Sequence, residues 1–233
     1  MRRFVAIVCL VFALDAYAKK GPDYLAVHQQ VSTAPAAPHA VAAPASAEPL
    51  PWAVGQWIAL KETDASGNVS YRRTSIVAHD DCGWWLEAVT TTAGSGEILK
   101  LCYSVPAWPR PDTTERIVQV VKTKEHFDKP TVLDLRTPKG AEIADQIGHY
   151  FAGAFQPLTY DDTTAPTAIT VASGSFDGCR KVVVEARAGE TIISGSAWVH
   201  SSVPVFGLVQ GEAGGVVTEI VDYGLTGATS LLK

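Results

Sequence analysis

From Trp52 onward, apolar and polar residues alternate in short runs, each cut off by glycine, asparagine, aspartate or serine. Period two marks a half-buried strand, because successive side chains leave opposite faces of a sheet. The first runs cover 55–62, 69–79, 84–91 and 97–105, with Asp64-Ala65-Ser66-Gly67-Asn68, Asp80-Asp81-Cys82-Gly83 and Ala93-Gly94-Ser95-Gly96 between them. Connections this short join antiparallel neighbours, so the four runs read as a meander. Pro106, Pro109 and Pro111 interrupt it, since proline has no N–H to give a central ladder. Further strands are expected over 116–122, 131–135, 168–172, 179–187, 191–200, 206–210 and 216–223. Ala188-Gly189 and Gly214-Gly215 fall where hairpin turns are needed. One helical pattern stands out, over 139–155, where Ile143, Ile147, Tyr150, Phe151 and Ala154 line one side and Pro157 ends it. About ten strands with a large apolar face must curl over that helix or close on themselves. The expected fold class is mainly β (α+β): a curved antiparallel sheet, an unclosed β-barrel of about ten strands wrapping one main helix.

The N-terminus reads as an address. Arg2 and Arg3 precede eleven apolar residues, Phe4 through Leu14, and Ala16-Tyr17-Ala18 is a small-x-small cleavage pattern. Residues 1–18 are therefore expected to be a signal peptide, with Cys9 discarded in it. No other run approaches the length of a spanning helix, so the cleaved chain is expected not to be transmembrane. Over residues 34–51, eight of eighteen residues are alanine and five are proline. That composition predicts an extended spacer, since proline removes donors and fixes φ. The division is signal peptide 1–18, Ala/Pro-rich linker 19–51 and a β-rich half-barrel domain 52–233. The localisation expected is periplasmic or secreted.

Of the 233 residues, 47% are hydrophobic and 18% charged, enough for a sizeable core, and the net charge is −5. An acidic chain is a poor partner for nucleic acid, which calls for a basic face. Neither a GxGxxG nor a P-loop segment occurs, so nucleotide binding is not expected. Cofactor: none.

The groups capable of chemistry are scattered. Cys82, Cys102 and Cys179 outlast cleavage, and export favours a disulfide among them. Cys82–Cys102 closes the shortest loop, but the pairing stays open. His79-Asp80-Asp81-Cys82 is the one local run of metal-capable side chains, and a polar turn explains it better. No metal site is expected. His149 and His200 have no partner in sequence. Asp161-Asp162 reads as loop, and adjacency does not place two carboxylates across a cleft. No HExxH or GxSxG occurs, so no catalytic residue is assigned and an enzyme is not expected. Trp84 and Trp85 are adjacent and must point to opposite faces, which predicts one tryptophan leaving the core side.

The second half carries the cadence Ser173-Gly174-Ser175-Phe176-Asp177-Gly178-Cys179-Arg180-Lys181-Val182, then Trp198-Val199-His200, Val203-Pro204-Val205-Phe206-Gly207-Leu208-Val209 and Glu219-Ile220-Val221-Asp222-Tyr223-Gly224. The first half adds Val54-Gly55-Gln56-Trp57 and Trp84-Trp85-Leu86-Glu87. Over roughly 52–228 this resembles uncharacterised bacterial exported proteins whose sheets are similar to the periplasmic lipoprotein-carrier superfamily. The resemblance implies an unclosed barrel with an apolar cavity for acyl chains, hence a lipid or lipoprotein partner and a non-enzymatic role. Ile58, Leu60, Ile76, Leu99, Leu101, Val182 and Val184 share parity along their strands. With Ile147 and Phe151 of the helix stripe, they are the ligand-binding residues this implies. Two alternatives stand beside it: an envelope structural or interaction domain with a solid core, and a hydrolase with a composite site. Cavity volume separates the carrier from the interaction domain, and a histidine beside a nucleophile in a cleft would mark the hydrolase.

Overall fold

The computed structural model describes residues 24–33, 37–46, 48–92, 95–103, 117–122, 131–134, 137–138, 159–188 and 191–232. These form a short helix, α1 (Tyr24–Ser32), and the strands β1 (His39–Val41), β2 (Trp57–Thr63), β3 (Val69–Asp80), β4 (Gly83–Thr91), β5 (Gly96–Tyr103), β6 (Ile117–Lys122), β7 (Thr131–Asp134), β8 (Thr159–Tyr160), β9 (Thr167–Val171), β10 (Gly174–Ala188), β11 (Thr191–Val199), β12 (Leu208–Ala213) and β13 (Val216–Gly224). The protein is mainly β, as expected. Each run read from the alternation is a strand, β2 to β7 and β9 to β13. Residues 139–155, with Ile147 and Phe151, lie outside the described residues, so the helix described is α1 and not the one expected.

The strands make one sheet in the order β1-β10-β11-β12-β13-β2-β3-β4-β5-β6-β7, with β8 and β9 also paired to β10. From β10 through β7 every pairing is antiparallel. The path has two ends, so among the described residues the sheet is not closed. Its middle is a join: β13, last in the chain, pairs with β2, and two meanders become one. The β12–β13 hairpin turns through Gly214 and Gly215, both at positive φ (61° and 79°), which a two-residue hairpin requires.

The sheet is curled. β5 and β12 stand five pairings apart, about 24 Å if flat at ~4.8 Å per strand. The Trp52 indole nevertheless lies 6.0 Å from Tyr103 at the end of β5 and 6.5 Å from Phe206 at the entrance to β12. One ring reaches both only if the strands wrap around it. The inner face is the one carrying Ile58, Leu60, Ile76, Leu86, Leu101 and Ile220, all buried in one cluster with Trp52, Phe176, Val203 and Val205.

The outer face is covered as well. Val27 of α1 packs with Val89 and Ile98, and Leu231 and Leu232 of the C-terminal tail join them. Within residues 19–51, expected as a linker, α1 precedes the Ala/Pro-rich stretch, and inside that stretch His39–Val41 pairs in parallel with Gly174–Phe176 of β10. Gly174, at φ 145°, makes the docking possible, since a Cβ there would run into the His39 backbone. Val27 and Val31 stand one helical turn apart and both are buried, which is what holds α1 on the sheet. Of the two adjacent tryptophans, Trp84 packs on the inner cluster and Trp85 is the one that turns away. It does leave the inner face, but it is only 8% exposed, donates Nε1–H to Asp80 (2.9 Å) and lies under the Lys100 ammonium.

Cys82 and Cys102 form a disulfide across the β3–β4 turn and β5, with their Cα atoms 6.4 Å apart. Cys179 is a free thiol, wholly buried, and burial pushes it up to about 12. A chain beginning after residue 18 is expected to show no thiol to Ellman's reagent when native. One should react in denaturant, and three after reduction. Reaction of the native protein would place Cys179 elsewhere.

Candidate functional site

The register carries most of the expected site residues to the inner face. Directly paired residues share a face, and the pairs Leu60 with Ile220, Ile76 with Leu86, Leu86 with Leu101 and Ala88 with Leu99 run across it in sequence. Ile58, Leu60, Ile76, Leu99 and Leu101 therefore lie together in the main core cluster. Val182 sits in a neighbouring cluster with Ala197 and Val199, linked through Leu208. Val184 pairs with Gly195, and its side chain lies outside the described residues.

A strap, residues 37–46 and 48–52, crosses the inner side. His39 Nε2–H donates to Asp222 Oδ1 (2.9 Å), and the imidazole lies on Tyr223 with 4.6 Å between centroids. His200, buried, donates Nε2–H to Asp177 O (2.9 Å) and Ala42 O (3.2 Å), while its Nδ1 accepts the Ser202 N–H. Those partners fix the neutral Nε2–H tautomer. The Ser201 hydroxyl donates to Ser46 O (2.6 Å), and Leu50 N–H to Ser201 O (3.2 Å). The strap thus delivers Trp52 into the sheet. Its indole meets Trp84, Tyr103 and Phe206 edge-on, and Nε1–H donates to Val205 O at 3.2 Å.

Val205 itself has φ 65°. A β-branched residue in that region costs on the order of 1–3 kcal/mol and persists only where its surroundings enforce it. Here its side chain is buried in the core and its carbonyl is tied to Trp52. Trp52, Gln56, Val203 and Val205 were not singled out as site residues from sequence. The glycine-flanked turns at Val54-Gly55-Gln56 and Val205-Phe206-Gly207 were the available signal.

The polar candidates are committed to structure. His79 stacks on Trp84 at 4.2 Å, and Asp80 accepts from Cys82 N–H and from Trp85. Ser173 accepts the His39 N–H on its carbonyl, yet its hydroxyl donates to Ile220 O (2.8 Å) and not to the imidazole. His28 Nδ1 lies 2.9 Å from the Thr91 hydroxyl, which is fully buried under α1.

Asp161 accepts from the hydroxyls of Thr163 and Thr164 (2.8 Å for the second), and these bonds lower its carboxyl to about 2. A depressed native value means that the unfolded chain binds the proton first. The group's contribution is therefore present above the ordinary carboxylate value near 4 and is lost as pH falls towards 2. An NMR titration should place the Asp161 midpoint near 2, and replacing both threonines with alanine should raise it towards 4. A wild-type midpoint near 4 would refute those bonds.

No protein-family model, curated protein or solved structure matches the chain. No helix among the described residues is long and apolar enough to cross a membrane. The site must therefore be read from its own geometry: a sheet that is not closed among the described residues, curled around the main apolar cluster, with the Trp52 indole set between Tyr103 and Phe206.

Proposed function

We propose that this is an exported, non-catalytic binding protein that holds the acyl chain of a lipid or acylated partner against the curled face of its sheet. One observation carries the reading. Two runs of aliphatic side chains, Leu60 with Ile220 and Ile76 with Leu86 and Leu101, gather in one cluster on the inner face of a sheet that is not closed among the described residues. A closed barrel or a flat sandwich leaves no such one-sided opening. Each methylene moved from water onto that face contributes about 0.8 kcal/mol, so a long chain suffices for tight binding without any catalytic group. In this reading the strap and Trp52 hold the face closed when it is empty, and Ile147 and Phe151 of the expected helix would line the other side. Export is supported by the signal-like residues 1–18 and by the Cys82–Cys102 disulfide, a bond of oxidising compartments.

Native mass spectrometry of protein exported from a bacterial host and purified without detergent tests this. An extra mass that organic extraction releases as lipid is the expected result. A bare protein that also fails to take up a fluorescent fatty acid would overturn it.

A second reading has its own support. Ile58, Leu60 and Ile76 are already buried in one cluster with Trp52, Val203 and Val205. A face so filled also suits an envelope interaction domain with a solid core, and the same failure of uptake would establish that reading instead.

A further inference from the structure

One buried acceptor on the inner side has no partner among the described residues. Gln56 N–H donates to Ala53 O at 3.2 Å, and Gly55, at φ 100°, donates to Ile76 O at 2.8 Å. Ile76 N–H returns to Gln56 O at 2.9 Å. Two residues thus face one across the ladder, a bulge with glycine in its first position, of the kind that re-aims a side chain. Gln56 keeps step with Ile58 and Leu60 and so belongs to the inner face. It is 5% exposed.

Its amide can be oriented from its partner. Nε2 donates to Pro51 O at 3.0 Å, so the oxygen is the other atom. Gln56 Oε1 is shut off from water and has no hydrogen-bond partner among the described residues. An unmade hydrogen bond in an apolar interior is costly, and a methionine or leucine would fill the space without that cost. Pro51, whose carbonyl takes the Gln56 amide N–H, precedes Trp52 in the chain, so the acceptor lies at the root of the strap.

We propose that Gln56 Oε1 reads the head of the bound molecule, and that the occupant is an acyl chain carried on a secondary amide, whose N–H completes this hydrogen bond. An acyl ester has the same apolar chain and no donor to offer. The inference rests on the carrier reading above and narrows it to a substrate class.

The test uses N-methylhexadecanamide and methyl hexadecanoate, which differ only in N–H against O, each displacing a fluorescent fatty acid from the full exported protein. The amide is expected to bind about tenfold more tightly. Gln56→Met should bring that ratio to near one while leaving the ester within about twofold of wild type. The ester also reports any disturbance from losing the Pro51 bond. Gln56→Asn, which keeps the amide but draws it back by one methylene, should fall between. A wild-type ratio near one, or a ratio that survives Gln56→Met, overturns the inference and leaves the carrier reading standing. Failure of both probes and of the fatty acid overturns the two together. Between amides, tighter binding of an N-hexadecanoyl dipeptide than of N-hexadecanoyl ethanolamine assigns the amide to an acylated chain end, and the reverse to a lipid. Either result upholds the Gln56 contact.

Discussion

Trp52→Ala is expected to destabilise the domain by about 3–5 kcal/mol, lowering Tm by about 10 °C. The size follows from what the indole joins. It meets three rings edge-on: Trp84 at 6.0 Å and 78°, Tyr103 at 6.0 Å and 82°, and Phe206 at 6.5 Å and 75°. Such pairs contribute roughly 0.5–1.5 kcal/mol each beyond the area they bury. Two of those rings belong to the first meander and one to the loop opening β12, so the loss falls on the contact that holds the curl. The Val205 carbonyl would also lose its donor, in a segment already bent to φ 65°. Trp52→Phe keeps an edge-on ring and loses the hydrogen bond, and should cost about 1–2 kcal/mol. Denaturant titration of the three proteins measures both values. If Trp52→Ala cost under 1 kcal/mol, the indole would be decoration on a sheet curled by something else, and the account of the inner face would have to be rebuilt.

The alternation from Trp52 onward was legible because each strand writes its own two faces. Adjacent residues such as Trp84 and Trp85 part company for a purely local reason, and the parity of Ile58, Leu60, Ile76, Leu99 and Leu101 survives into the core cluster. What covers a face is not local. The outer side, where Trp85 lies nearly buried, is covered at Val89 and Ile98 by α1 and the C-terminal tail, segments far off in sequence. Nothing near residue 85 announces them. The join of β13 to β2 is illegible for the same reason, since both strands alternate equally well with any neighbour.

The strap fails differently. A three-residue strand between Pro38 and Pro44 carries no periodic signal, and its docking depends on the missing Cβ of Gly174, a residue that reads from sequence only as a turn. The disulfide became definite once the register set Cys102 opposite Trp85, close to the turn holding Cys82. Gln56 was hidden by a bulge, which shifts a side chain without altering the hydrophobic pattern around it.

Glu87→Leu should destabilise the full chain by about 2–3 kcal/mol, yet be neutral or stabilising in a chain ending at residue 229. Glu87 is 2% exposed on the outer face of β4. Its carboxylate accepts the Ser230 hydroxyl (2.6 Å), the Leu231 N–H (2.8 Å) and the Leu232 N–H (3.3 Å), and Lys100 donates to that same serine oxygen at 3.3 Å. A buried carboxylate is tolerated only while such donors answer it, and hydrogen bonds to a charged group each carry about 1.5–3 kcal/mol. Leucine offers the tail amides nothing, so in the full chain the anchor is lost. Hydrogen exchange at Leu231 and Leu232 should then quicken by about 30-fold while β2 to β5 stay protected, because about 2 kcal/mol of local stability has gone. Without the tail the sign turns. Glu87 there has already lost its Ser230, Leu231 and Leu232 donors, so replacing it with leucine breaks no anchor. The two chain lengths and two residues form a thermodynamic cycle whose coupling belongs to the tail contact alone. Equal effects of Glu87→Leu in both chains would mean that the carboxylate is satisfied by something other than the tail, with Arg73, whose charge acts on it across the same face, the first group to test.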